Sequence, residues 1–176
     1  MREYTTQMEA ARKGIIAPEL RAVATKEFRT EEELRALVAK GQVVICANNL
    51  HTCIDPNGIG SMLRTKINVN LGVSRDCNDY DIELQKVMSA VDLGAEAIMD
   101  LSSHGNTQPF RKYLVEKCPA MIGTVPVYDS VIHYQRDLAT LTAKDFIDVV
   151  RLHAADGVDF VTLHCGITRK TIQQIR

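Results

Sequence analysis

Four side chains able to bind a polar ligand stand at or just beyond the ends of short apolar runs in this sequence. They supply an amide, a thioether, a phenol and an imidazole: Asn70, Met99, Tyr128 and His164. An imidazole can donate to a ligand oxygen or act as a general acid or base. Parallel α/β barrels build their active sites at the carboxyl ends of their strands. The pattern therefore predicts a small-molecule site at one end of a parallel sheet.

Each of these residues also has a purely structural interpretation. Asn68 and Asn70 share one face of a strand, where buried amides need partners on neighbouring backbone. Met99 can fill the core, and His164 can be a hydrogen-bonded core histidine. Three other histidines are placed outside the site, His51 and His133 in loops and His153 on a helix surface.

Short apolar runs alternate with amphipathic segments from residue 42 onward, which indicates β–α–β units and a parallel sheet. The candidate strands are residues 43–47, 66–71, 97–101, 121–125 and 160–164, and the candidate helices include 84–91, 109–116, 142–153 and 168–176. Residues 48–60 are polar and rich in turn signals. No Gly-x-Gly-x-x-Gly opens a helix, and polar residues follow several strands. Both features favour a (β/α)8 barrel over a doubly wound dinucleotide-binding sheet.

Residues 1–41 form a helical N-terminal segment, with a capping box of Thr30 and Glu33 at its last helix. Residues 42–176 then supply the first four or five strands of a (β/α)8 barrel, which as a whole takes about 250 residues. The expected fold class is thus α/β, a partial TIM-type barrel. Half a barrel leaves two open strand edges, so we expect the isolated chain to aggregate or to remain molten.

Composition excludes several classes of protein. The chain has 176 residues, 45% of them hydrophobic and 24% charged, with a net charge of −1. It lacks the basic stripe of a nucleic-acid binder and any apolar run of about 20 residues that could cross a membrane. We therefore expect a cytoplasmic protein that binds neither nucleic acid nor a membrane.

Five cysteines without a C-x-x-C pair argue against a disulfide framework or a zinc site. Cys46 and Cys165 are expected to be buried thiols at strand ends.

Five stretches of the sequence resemble phosphomethylpyrimidine synthases, the enzymes that make the thiamine pyrimidine. The stretches are residues 6–19, 63–72, 94–102, 122–128 and 157–164. The resemblance implies a barrel that binds aminoimidazole ribonucleotide (AIR) and a 4Fe–4S cluster that cleaves S-adenosylmethionine to a radical. It also implies a divalent, zinc-like metal and a homodimer. Asn70, Met99, Tyr128 and His164 fall on substrate-binding positions of the family's motifs.

The family's cluster motif, C-x2-C-x4-C, does not occur in this sequence. In the family that motif, the metal-binding histidines and further substrate residues lie in the later part of the protein. We therefore expect the chain to be an N-terminal fragment that is inactive alone. No catalytic residue and no metal ligand are assigned within it.

The matched stretches also depart from the thiamine enzymes, in residues 73–77, 103–107 and 119–121. These departures resemble the related 5-hydroxybenzimidazole synthases, radical carbon–carbon lyases that make a lower-ligand base of cobamides (vitamin B12) from AIR. We expect that activity in the parent protein, with hydroxymethylpyrimidine phosphate (HMP-P) synthesis as the alternative.

Two further hypotheses concern other functions. An aldolase-like barrel would need a lysine at the carboxyl end of a strand, and Lys66 lies at the wrong end of its strand. An inactive half-barrel that binds nucleotide or dimerises is an alternative of another class.

Overall fold

Helices and strands alternate along the computed structural model, which describes residues 3–166 and 168–175. The helices are Gln7–Arg12 (α1), Pro18–Lys26 (α2), Glu31–Ala39 (α3), Tyr80–Asp92 (α4), Gln108–Lys117 (α5), Pro126–Tyr134 (α6), Ala143–Ala155 (α7) and Arg169–Ile175 (α8). The strands are Val43–Ile45 (β1), Gly58–Gly60 (β2), Asn68–Leu71 (β3), Ala97–Asp100 (β4), Met121–Thr124 (β5) and Phe160–Val161 (β6). A 3-10 turn spans Leu138–Thr140.

Strands β3 to β6 form a parallel sheet in the order β3-β4-β5-β6, which confirms the α/β class. In its register Asn70 lies beside Met99, Met99 beside Gly123, and Gly123 beside Phe160. Helices α4 and α5 cover the sheet face opposite to the side chains of Asn70 and Met99, and they pack on it through an apolar core. Its members are Val87, Ala90, Ile98, Phe110, Leu114, Val115, Cys118, Ala120 and Ile122.

The strand predicted at residues 43–47 is not part of this sheet. It is shortened to β1 and pairs antiparallel with β2, where the sequence predicts only turns. Together with α1–α3, β1 forms a separate apolar core that includes Leu20, Val23, Leu34 and Val38. Strand β2 reads Gly-Ile-Gly, and glycine has no strand preference, so no sequence signal marks it.

Two further elements differ from the sequence prediction. Helix α6 begins at Pro126 and ends at Tyr134, so the predicted loop position of His133 is wrong. Proline is favoured at the first position of a helix, so Pro126 opens α6 two residues after β5 ends at Thr124. Strand β6 ends at Val161, so His164 lies in the irregular segment that follows it. The predicted capping box at Thr30 is confirmed, and a second one forms at Thr142.

A buried histidine–carboxylate pair joins the β1–β2 connection to the sheet. His51 Nδ1 lies 2.7 Å from Asp159 Oδ2, and its Nε2 lies 2.7 Å from the backbone oxygen of Cys118. Both side chains of the pair are fully buried. Because both ring nitrogens face acceptors, the imidazole must carry two protons to donate to each of them. Burial by itself lowers the pKa of His51, but the hydrogen bond and charge of Asp159 outweigh it and raise the pKa above 6.5.

This pair predicts a pH dependence of stability. A raised folded pKa means that the contribution of His51 is complete below its ordinary pKa and is lost as pH rises through the folded value. We expect His51→Gln to lower the free energy of unfolding of the full-length protein by about 3 kcal/mol near pH 6 and by less near pH 9. Urea unfolding at both pH values measures this, with exposed His104→Gln as the control. Equal losses at both pH values would contradict the charged state of His51.

Candidate functional site

The loops after β3 and β4 are joined by backbone bonds that continue the sheet beyond its strands. The Leu101 amide donates to the Leu71 carbonyl at 2.7 Å, and the Ser103 amide donates to the Val73 carbonyl at 2.9 Å. Gly72 lies between them with φ of +139°, and a Cβ there would stand 2.5 Å from the Ser102 nitrogen. Only glycine permits this approach. The carboxyl end of the sheet with the loops that follow its strands, called the rim below, is therefore held in place near Asn70.

Asn70 and Met99 are neighbours on the sheet face that α4 and α5 do not cover. Asn70 is exposed and Met99 is half-buried. The side chain of Asn68 shares this face, as predicted, and its Nδ2 donates to Asn70 Oδ1 at 2.8 Å. From the far edge, Thr162 Oγ1 lies 4.0 Å from Met99 Sδ. An amide pair and a thioether thus lie side by side at the carboxyl end of the sheet.

An aromatic ring completes this row, and sequence analysis did not single it out. Phe160 stands beside Gly123 in the register, and a Cβ on Gly123 would lie 2.3 Å from Phe160 Cζ. The ring therefore lies over Gly123, on the same face as Asn70 and Met99. A glycine inside a strand signals such a close approach, and this signal was available in the sequence.

Tyr128 and His164 form a second pair beyond the strand ends. Tyr128 lies in the first turn of α6 and is 40% exposed, and His164 is also exposed. Their ring centroids are 6.0 Å apart, with the rings tilted by 48°. Thr162, which lies 4.0 Å from Met99 Sδ, precedes His164 by two residues. The structure thus places all four predicted site residues at the carboxyl end of the sheet, as two contacting pairs.

A buried polar network holds the first turn of α6. Asp129, the residue after Tyr128, accepts a hydrogen bond from Thr107 Oγ1 at 2.7 Å and lies 2.9 Å from His153 Nε2. His153 Nδ1 lies 2.8 Å from Thr124 Oγ1, at the end of β5. Burial alone would raise the pKa of Asp129, but the bonds from His153 and Thr107 lower it to about 2. The network fixes where Tyr128 stands relative to β5.

The predicted surface position of His153 is wrong, because its side chain is 2% exposed. It lies four residues after buried Val149, on the face of α7 that packs inward. That spacing is the signal that could have found it. Arg111 shares the network and is 1% exposed. It donates to Asp156 through Nε at 3.1 Å and Nη2 at 2.8 Å.

A model of the radical SAM ThiC family matches residues 6–176 of this sequence. The chain belongs to the radical SAM ThiC family. This confirms the resemblance seen in the sequence motifs. Among its relatives, a phosphomethylpyrimidine synthase of Alkaliphilus oremlandii is 58% identical over 174 residues. Proteins of the same name from Clostridioides difficile and Pelotomaculum thermopropionicum are each 55% identical over 173 residues.

These alignments cover 98–99% of this chain but only 40% of each relative. The chain therefore spans about 40% of the length of the curated relatives it matches. The alignment over 174 residues covers the strands and loops that carry the four candidate residues.

The described residues of this ThiC-family chain do not fit an iron–sulfur cluster. Such clusters are held by several cysteine thiolates. Across residues 3–166 and 168–175 there is no group of three or more histidine, cysteine, aspartate or glutamate side chains able to hold a metal ion. Cys165 is exposed rather than buried, because β6 ends four residues before it. Cys46 is partly buried, and burial raises the pKa of its thiol to about 11, which makes it a poor ligand at neutral pH.

Within residues 3–166 and 168–175 of this ThiC-family chain, no helix is both long enough and apolar enough to cross a bilayer.

The network behind Tyr128 predicts a stability loss. We expect Asp129→Ala to lower the free energy of unfolding by about 3 kcal/mol, because it leaves buried Arg111 and His153 without this partner. Urea unfolding of the full-length protein measures the loss, with exposed Asp137→Ala as the control. The depressed pKa of Asp129 means that its contribution is complete above 3.8 and declines as pH falls towards about 2. A loss no larger than that of the control would contradict the network's role.

Proposed function

We propose that this chain forms the N-terminal part of a phosphomethylpyrimidine synthase, a radical SAM enzyme that converts AIR to HMP-P. The observation that carries the proposal is the 58% identity, over 174 residues, to a relative of that name. Since the relatives described above all bear this name, the pyrimidine product replaces 5-hydroxybenzimidazole as the preferred one. The departures in residues 103–107 do not outweigh that identity.

The sheet supports the proposal that this part of the protein is the beginning of a (β/α)8 barrel. The strands follow one another in sequence order, with helices α4, α5 and α7 in the connections. A doubly wound sheet reverses its strand order at a switch point, and no reversal occurs among the described strands. Beside β3, the apolar residues Ile67, Val69, Ile82 and Leu93 line an open groove. Further strands and helices of the parent protein would cover this groove and close the barrel.

The four candidate residues suit an aminoimidazole ribonucleotide. The amide of Asn70, the phenol of Tyr128 and the imidazole of His164 can each hydrogen-bond polar groups of a nucleotide. Met99 offers a polarisable contact. The 4Fe–4S cluster, with S-adenosylmethionine, supplies the radical, and its ligands come from outside the described residues. We keep the zinc-like metal and the homodimer of the family as proposals for the parent protein.

The identity of the product tests the proposal directly. The full-length protein is reconstituted with its cluster without oxygen and incubated with AIR and S-adenosylmethionine. We expect mass spectrometry to identify HMP-P. Hydroxybenzimidazole as the product would instead assign the protein to the cobamide branch. Binding of AIR without any turnover would favour the inactive nucleotide-binding module.

Substitutions at the rim test the three hydrogen-bonding residues of the site. We expect Asn70→Ala, Tyr128→Phe and His164→Ala each to raise the Kd for AIR about tenfold, because each removes one hydrogen bond to the nucleotide. Isothermal titration with the full-length protein measures Kd. The controls are His104→Ala in the loop after β4 and Tyr113→Phe on α5, which is 41% exposed. Unchanged Kd values in the three rim variants would show that AIR binds elsewhere.

A further inference from the structure

Asn68 and Asn70 form an amide pair on the sheet face that carries the candidate site. Asn68 Nδ2 donates to Asn70 Oδ1 at 2.8 Å, and both residues are exposed. In the register their neighbours on β4 are Ala97 and Met99, a methyl group and a thioether. Neither neighbour competes strongly for an amide. Each amide of the pair is therefore the polar partner of the other.

This bond occupies one lone pair of the Asn70 carbonyl oxygen and leaves the Nδ2 group of Asn70 available. Within the described part of the chain, Asn70 Nδ2 donates to no other residue. Rotating the Asn70 amide alone by half a turn would bring two NH2 groups together, which repel as two donors. The orientation of Asn70 is thus coupled to that of Asn68.

We propose that Asn68 is a positioning residue that fixes Asn70 as a hydrogen-bond donor towards an acceptor atom of the bound ribonucleotide. The inference rests on the proposed function, because it takes the ligand of Asn70 to be AIR. It assigns Asn68 a role in ligand recognition through Asn70, without contact between Asn68 and the ligand. Discrimination follows from the same geometry, since the Asn70 donor cannot bond to an analogue that carries a donor at that atom.

The Asn68→Asp variant tests the polarity of the pair. A carboxylate only accepts, so the Asn70 amide must turn and present its carbonyl oxygen to the ligand. In the full-length enzyme we expect KM for AIR to rise about tenfold or more, with kcat and melting temperature near those of the wild type. Asn68→Ala frees the amide without reversing it, and we expect a rise of only about twofold to threefold. Asn106→Asp, in the loop after β4, is the control for an added charge near the rim.

A double-mutant cycle separates positioning from direct repulsion of the ligand by the new carboxylate. In the Asn70→Ala background there is no amide to turn, so Asn68→Asp should raise KM no further. An equal rise in both backgrounds would overturn the inference, as would an unchanged KM in Asn68→Asp alone. If the wild-type enzyme binds and converts no AIR, the proposed function fails instead. The wild-type assay therefore distinguishes the two failures.

Discussion

The carboxylate of Asp159 is the point on which the arrangement of this chain depends. It accepts from the Asn48 amide at 2.7 Å and the Ile122 amide at 2.8 Å, and it pairs with His51. Asn48 and His51 lie in the segment that links β1 to β2, and Ile122 lies in β5. Because this carboxylate is buried, removal of one of its partners leaves a costly unpaired group. The N-terminal helices and the sheet are thereby fixed relative to each other.

The candidate site is built outward from two places where glycine lets main chain or a ring approach closely. Gly72 allows the loop after β3 to lie against the loop after β4, and Gly123 allows the Phe160 ring to lie on the sheet. Behind the sheet, the Asp129 network holds the turn that carries Tyr128. The exposed polar side chains of the rim thus stand on a buried, hydrogen-bonded support. Preorganisation of this kind lets a site bind a ligand without first paying the cost of ordering its side chains.

Membership of the radical SAM ThiC family and the local geometry describe different parts of the function. Under the proposed function, the amide, the thioether, the phenol and the imidazole at successive strand ends bind the substrate. The geometry shows how these groups are grouped, with Asn70 beside Met99 and Tyr128 beside His164. The described residues offer side chains that can hydrogen-bond a polar ligand, whereas they offer no set of thiolates for a cluster. Within the proposed synthase, this chain would supply one wall of the nucleotide site.

Local sequence signals determined most of the elements and the placement of the site residues. Helix caps such as Thr30 and Thr142, apolar periodicity, and polar residues after buried runs act over a few residues, so they are legible in the sequence. Tertiary structure alone decided that β1 pairs with a glycine-rich β2, and that His51 hydrogen-bonds to Asp159, 108 residues later in the sequence. It also decided that Asp129 is the partner of the inward-facing His153. These outcomes depend on partners distant in sequence, and burial makes such polar contacts strong only after the chain has brought them together.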